Sequence, residues 1–492
     1  MYKFSNGQIS LSDFKQPVGM HLKESNRWVQ KAQMIPWLDI EKRYAKLFTN
    51  RKGNVAKPLR LALGACIIQA EYGFSDEETA YMIQEHPYFQ YFCGYTGYDD
   101  EHLPFDPSTM VYFRKRLTPE ILGEINEMIL QTVKAEDSDD STFDDDDSPD
   151  DDGGSPSGDG DDNPFDGENN DDNNSGTLIV DATCAPSNIR FPQDVALLDE
   201  SRENAEKLID HLQMQSTQPK PRTYRKNAHQ DSLAYMRSRK HTEKKTRKAI
   251  KQQLQYLRRD LGIIESMLQS GLKLTKHQTE RFEVISKIYE QQKYMYDNHT
   301  HTVPDRIVSV SQPFIRPIVR GKAAKPVEFG AKLDISVSNG WTRLECWSFN
   351  PYNESTRLIE TIERYRQREG HYPERVLADK IYRNRENLRY CKAHGIRLSG
   401  PALGRPKKDE VRDKLQDYLD QNDRVEVERQ ISLAKRKCNL GTVRTKLEPT
   451  VGFTIAMSIV VLNLRKIQRV LFDLLHLTIF NFYARENFGF VQ

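Results

Sequence analysis

The sequence predicts an α/β protein: a mixed sheet interrupted by an inserted helical hairpin and preceded by an all-α N-terminal region. Three observations predict it. From residue 177 onward the order is strand, insertion, strands, helix, strand, helix, strand, helix, the order of a sheet covered by helices. Within the insertion, Ile250, Leu254, Leu257, Leu261 and Ile264 recur at four-three spacing, as along a helical seam. Before residue 136, apolar positions recur with a helical period. At 492 residues the chain is too long for one ordinary core. The expected boundaries are 1–135 for a helical domain, 136–176 for an acidic linker, and 177–480 for the α/β domain, with a basic helical insertion at about 200–300.

The N-terminal elements follow from local signals. PLRLALGACIIQAEYGF (58–74) carries an apolar stripe, with Gly73 near its end. Ser75 and Glu78 read as a capping box opening the next helix. A third helix is expected from Pro107 to Leu117, with Asp106 as N-cap, and it carries Arg114, Lys115 and Arg116. Short helices ending in a basic one suit a helix-turn-helix; an ordinary helical bundle has the same periodicity. GTLIVDAT (176–183) is an apolar strand ending in an acid. Residues 240–296 read as a helical hairpin broken at Gly271, with Phe282, Ile285 and Tyr289 on one face of its second arm. Period two then marks IVSVSQPFIRPIV, KPVEFGAKLDISVS and TRLECWSF as strands. A helix at 355–368, the strand RVLAD (375–379), a helix at 383–394, the strand IRLSG (396–400) and a broken helical region from Asp423 complete the chain.

Charge is unevenly distributed. The formal net charge is +1, but residues 136–172 hold 18 Asp or Glu and no Lys or Arg. Outside them, 53 acidic residues face 72 basic ones. Such an excess favours a polyanionic partner, nucleic acid first; a basic soluble surface is the plain alternative. The acidic tract has few large apolar groups and mutually repelling charges, so disorder is expected. Between Lys220 and Arg259 there are 14 Lys or Arg and two acids, interleaved with Tyr224, Tyr235 and Tyr256. That face suits phosphates, or is simply solvated. The six cysteines form no CxxC pair and fit reduced thiols in a cytosolic protein. MYKFSNGQIS lacks the apolar core of a leader, and the apolar run at 453–464 falls short of the roughly 20 residues of a membrane span. A buried core helix and a cytoplasmic location without membrane partners are therefore expected.

The chemistry-bearing residues are acids. LIVD and VLAD are strands that end at Asp181 and Asp379, where a sheet presents groups on rigid backbone. Two carboxylates held close repel unless a divalent cation lies between them. In DRVEVERQISLAKRK, Arg424, Glu428 and Lys435 are spaced R-x3-E-x6-K and share a helix face. A surface ion-pair helix would carry similar charges.

Together these stretches resemble a known family. LIVDATCAPSNIRFPQD, RPIVRGKAAKPVEFGAKLDISV, HYPERVLADKIYRNRENLRYCKAHGIRLSGPALGRP and RVEVERQISLAKRKCNLGTVRTKL resemble DDE-type insertion-sequence transposases, in the superfamily related to insertion sequence five. Residues 58–118 also resemble that group's N-terminal domain. The resemblance implies a ribonuclease H-like catalytic fold whose DDE triad corresponds to Asp181, Asp379 and Glu428, with Arg424 and Lys435 matching the signature's cations. Two departures are visible: Gln421 stands where relatives often have Tyr, and Arg429 and Gln430 follow the Glu where glycines are usual.

The resemblance further implies two Mg²⁺ or Mn²⁺ ions on the three carboxylates, cleavage at transposon ends and strand transfer into target DNA. The implied partner is double-stranded DNA, as terminal inverted repeats and target, bound by a homodimer in the bacterial nucleoid. Arg424, Lys435, Lys380, Tyr382, Arg383, Arg114, Lys115 and Arg116 are the expected DNA contacts. Three alternatives stay open on the residues alone: a nuclease or resolvase of the same fold that cuts without strand transfer, a non-enzymatic DNA-binding protein derived from a transposase, and a coiled-coil assembly protein built around 240–296.

Overall fold

A computed structural model describes the chain apart from residues 6–7, 17–18, 50–53, 140–173, 320–326, 402–413 and 489–492. The expected acidic linker falls almost wholly outside the described residues. The N-terminal part is helical: α1 (Arg27–Met34), α2 (Trp37–Ala45), α3 (Leu59–Tyr72), α4 (Asp76–Glu85), α5 (Pro87–Phe92), α6 (Thr109–Arg116) and α7 (Pro119–Asp139). Strand β1 (Thr177–Pro186) is followed by α8 (Asp194–Gln213), α9 (Arg225–Met236), α10 (Glu243–Gln269) and α11 (Lys276–Asp297). Then come β2 (Arg316–Val319), β3 (Val327–Ser338), β4 (Trp341–Ser348), α12 (Leu358–Glu369), β5 (Arg375–Leu377), α13 (Arg385–Ala393), β6 (Arg397–Leu398), α14 (Lys414–Lys437) and α15 (Glu448–Phe488).

Local signals explain several boundaries. Gly73 ends α3 at φ +74, a left-handed position that favours glycine. Ser75 and Glu78 form the expected reciprocal capping box on α4. Asp106 does not cap α6; it accepts the Ser108 N–H at 2.9 Å within a preceding turn, and the helix begins at Thr109.

The six strands form one mixed sheet in the order β2-β3-β1-β5-β6, with β4 also paired to β3. β1 is antiparallel to β3 and parallel to β5, which is parallel to β6. Four expectations need correction. β1 does not end at Asp181 but continues against β3 to Pro186. Of IVSVSQPFIRPIV only Arg316–Val319 is a strand; Ile307, Val308 and Val310 are buried without pairing, so apolar content rather than sheet geometry produced the pattern. The helix carrying Glu428 begins at Lys414, not near Asp423. The strands expected at 375–379 and 396–400 are shorter, Arg375–Leu377 and Arg397–Leu398. Within the insertion, α8 and α9 join the hairpin α10–α11, and α10 lays its Leu254, Leu257, Leu261 and Ile264 seam chiefly against α8.

Three cores result. Leu178, Val180, Val376 and Ala378 point to one sheet face, under Leu358, Ile362 and Tyr365 of α12. Ile179, Leu333, Ile335 and Leu377 point to the other, which shares its core with α14, α15 and helices α1–α7. The inserted helices have a core of their own. The stretch Glu448–Val470 of α15 is long and apolar enough to cross a membrane, yet 83% of its apolar window is buried inside the protein. It is a core helix, as the sequence predicts.

Candidate active site

The site begins with strand register. Leu178 is paired with Val376 and Ile179 with Leu377; continuing that ladder two residues sets Asp181 level with Asp379. Side chains alternate across a sheet, so Asp181 projects on the face of Ile179, where α14 lies, and Asp379 follows two residues after the end of β5. β5 stops at Leu377 while β1 runs on, which opens the sheet beside Asp181. Asp379 then caps a short 3-10 turn, Lys380–Tyr382, accepting the Lys380 N–H at 2.6 Å.

Helix α14 brings the third carboxylate. Buried Val427, Ile431 and Ala434 seat it against the sheet. Its rotation is clamped about two turns earlier by buried Asp420. That carboxylate accepts from Arg397 at 2.5 and 2.7 Å and from Arg375 at 3.3 Å. Arg375 also donates to Thr177 Oγ1 (2.7 Å) and Asp423 (2.7 Å). Burial alone would raise the Asp420 carboxyl, but hydrogen bonds from Arg397 and Gln416 hold it below the usual carboxylate range. With α14 so fixed, Arg424 reaches Glu428 at 3.3 Å and Asp379 at 3.9 Å. One guanidinium thus spans the second and third acids. Both acid side chains are 56% exposed, Arg424 28%; the site is an open cleft. Lys435 lies two turns further along α14, half-buried.

The donor set is carboxylate oxygen, which suits a hard divalent cation, and Arg424 supplies a positive neighbour to both Asp379 and Glu428. Among the described residues, the trio whose ligand atoms all lie within 4.8 Å of one another is elsewhere: Asp199, Glu203 and His229, on α8 and α9. There Arg202 already contacts Asp199 at 2.6 Å and Glu203 at 3.8 Å, so that cluster carries its own counter-charge.

Other expected contacts divide. Lys380 is exposed beside Asp379. Tyr382 is buried, so its ring supports the turn from beneath. Arg383 is directed inward, donating to the carbonyls of Leu398 and of Ser399 (2.9 Å). In α6 the three cations part company. Arg114 is buried and forms a bidentate pair with Asp76, at 2.6 Å for each bond. Arg116 lies over the Phe48 ring at 4.9 Å. Lys115 is exposed. Arg114 and Arg383 thus spend most of their guanidinium donors inside the protein, and the Tyr382 ring lies in the core.

Asp334 was not singled out by sequence. It lies opposite Ala182 on β3, is 1% exposed, and is near Tyr352 and Tyr382. Burial pushes its carboxyl up to about 7, against a lowering contribution from Tyr352. Its signal is an acid in the interior of the alternating run KLDISVS.

Taken together, Asp379 just past the end of β5 and Glu428 on α14 lie within reach of one guanidinium, beside the sheet whose strand β1 carries Asp181, and such a set of carboxylate oxygens suits a hard divalent cation. Comparisons with known proteins agree with this arrangement. Residues 376–465 match a family described as transposase DDE domain, and residues 17–116 match one described as transposase domain. In both stretches the chain is thus similar to transposases, and over 376–465 to those with a DDE domain. It is also 35% identical over 97 residues to an uncharacterized protein, ORF8 in the nfe locus of Rhizobium meliloti. That match covers 20% of this chain and 46% of the relative, so the chain spans less than half of the curated relative it matches. No solved structure matches the chain.

Proposed function

We propose that the protein is a DDE transposase that binds the ends of an insertion sequence, cleaves DNA there and joins the freed 3′-hydroxyl to target DNA. The observation that carries this reading is Arg424 within reach of both Asp379 and Glu428, on the sheet face that the β1–β5 register assigns to Asp181. Asp181, Asp379 and Glu428 would hold two Mg²⁺ or Mn²⁺ ions. When bound, such ions lower the pKa of the attacking water or 3′-hydroxyl and stabilise the leaving oxygen. The chain's own residues do the rest. The Arg375–Asp420–Arg397 clamp fixes α14, and Arg424 keeps two carboxylates together. Lys380 and Lys435 supply positive charge for phosphates flanking the scissile bond.

The sheet order and directions support a ribonuclease H-like fold, with β4-β3-β1-β5-β6 as its five strands. The match over 17–116 supports a DNA-binding role for the N-terminal helices, through a helix-turn-helix in which Lys115 is the exposed cation of α6. We retain the division at 136 and 177 as a division of labour, with a dimer pairing two DNA ends in the nucleoid. The test is Asp379→Asn. Metal-dependent cleavage of a transposon-end duplex should disappear while DNA binding persists; retained cleavage sinks the assignment.

A further inference from the structure

The inserted helices present a row of cations that the carboxylate site does not use. On α10, Lys244, Lys248, Lys251 and Arg258 are all exposed. Their spacing of four, three and seven residues keeps them on one face, to one side of the buried seam of Leu254, Leu257 and Leu261. The row is about 21 Å long at 1.5 Å per residue. Arg237, Arg239 and Lys240, exposed in the α9–α10 connection, extend it. A solvated helix face usually interleaves acids with bases. Here none of these seven cations forms an ion pair with any described residue. Elsewhere arginines are matched: Arg202, Arg225, Arg343, Arg368, Arg375 and Arg397 each pair with an acid. Unlike those arginines, the seven cations of the α9–α10 face are left to solvent.

The aromatic residues interleaved with it identify the kind of polyanion. Single strands are held by stacking bases on free rings. Here Tyr224 has the Arg222 and Arg259 guanidiniums over its ring at 4.4 and 4.3 Å. Tyr256 donates to Asp231 at 3.0 Å, and the Tyr235 hydroxyl is 3.0 Å from that of Thr246. The rings are committed to the fold, so the surface offers charge without a stacking platform. Phosphates of a duplex are what such a surface fits. Topology places it suitably: the insertion leaves the sheet from the C-terminal end of β1, the end to which β5 delivers Asp379.

We propose that the α9–α10 face is a second, sequence-independent binding surface for double-stranded DNA, gripping backbone phosphates outside the carboxylate cleft. The inference rests on the reading that the protein acts on DNA, and names where the duplex beyond the cleavage point is held.

The experiment uses the full chain carrying Lys244→Gln, Lys248→Gln and Lys251→Gln, all at exposed positions, with a 40-base-pair duplex of arbitrary sequence and a single strand of equal length as probes. Affinity is measured from about 50 to 200 mM salt, a range over which phosphate contacts weaken steeply. The slope of log K against log salt for the duplex should become shallower by about 2.7, at about 0.9 per lost phosphate contact. Duplex affinity near 150 mM salt should fall at least about tenfold, and the single strand should lose less. An unchanged duplex slope, or an equal loss on the single strand, overturns the proposal. The outcome is separable from the catalytic reading, which fails if the unaltered protein shows no metal-dependent cleavage whatever the slope does.

Discussion

Arg424 is the residue on which the candidate site turns. Its guanidinium is the shared counter-charge of Asp379 and Glu428, and replacing it with Ala leaves two carboxylates whose repulsion only a bound cation offsets. Arg424→Ala should lower the cleavage rate by about 10²-fold, the usual cost of losing a preorganised charge, and raise the Mn²⁺ concentration needed for half-maximal rate. A rate within threefold of the parent would show that the contact is incidental. Arg114 makes the opposite case. Its identity looked like a DNA contact, but its pair with Asp76 is structural. Arg114→Ala should cost about 2–4 kcal/mol of stability in urea unfolding, because it strands a partly buried carboxylate, while duplex affinity changes little. Burial raises the Asp76 carboxyl, yet hydrogen bonds from Arg114 and Gln69 win and hold it low. The pair's contribution is thus complete above the ordinary Asp range near 4 and declines as pH falls through the depressed value. The stability difference between parent and Arg114→Ala should therefore shrink below about pH 4.

At the scale of elements, α14 and α10 each carry a buried acid with a different consequence. Asp420 on α14 is satisfied by two arginines. Asp420→Ala should reduce cleavage without loss of DNA binding, since Glu428 depends on the rotation of its helix; unchanged cleavage would remove the clamp from the account. Asp260 on α10 is fully buried, with no hydrogen-bond partner on either oxygen. Burial first, and the Glu206 charge second, push it up to about 7, against Arg202, Arg225 and Arg259. A raised carboxyl favours the folded state below its unfolded value near 4, and that advantage is lost as pH rises through 7. Asp260→Asn removes this titration. Relative to the parent, it should gain stability between pH 5 and 8, on the order of 2–4 kcal/mol; a pH-independent difference would contradict the assignment.

At the scale of the molecule, α15 ties the N-terminal helices to the sheet. Asn463 donates to Asn126 Oδ1 of α7 and to the Thr342 carbonyl of β4, both at 2.8 Å, and accepts the Thr342 N–H at 3.0 Å. Arg343 of β4 reaches Glu127 of α7 at 2.7 Å. Met457, Val460, Val461 and Leu464 are buried in the core shared with α3, α6 and α7. A fragment of residues 1–135 lacks this helix and exposes its apolar face. It should show no cooperative thermal transition on its own; a sharp transition would establish an independent N-terminal domain. The tie also bears on function, because a DNA segment bound by the N-terminal helices would be held at a set distance from the carboxylates.

Much of this was legible along the chain. The capping box at Ser75 and Glu78, the apolar strands around Asp181 and Asp379, the spacing of Arg424, Glu428 and Lys435, and the four-three seam of α10 are local patterns, and local patterns are written in consecutive residues. Other features depend on partners far away in sequence. Arg114 and Lys115 are adjacent and look alike, and only the position of Asp76 turns one inward. Tyr382 and Arg383 come three and four residues after Asp379, yet Tyr382 is buried and Arg383 turns onto the Leu398 and Ser399 carbonyls. Asp420 and Asp334 carry no motif, and their roles arise from what α14 and β3 pack against. The run at 307–310 has the apolar content of a strand, but a strand also needs a neighbour to pair with. Sequence alone therefore determined which residue types and which family resemblance the protein has. Tertiary structure decided which of its charges face solvent and which are neutralised inside, because a charge is settled by what surrounds it in space.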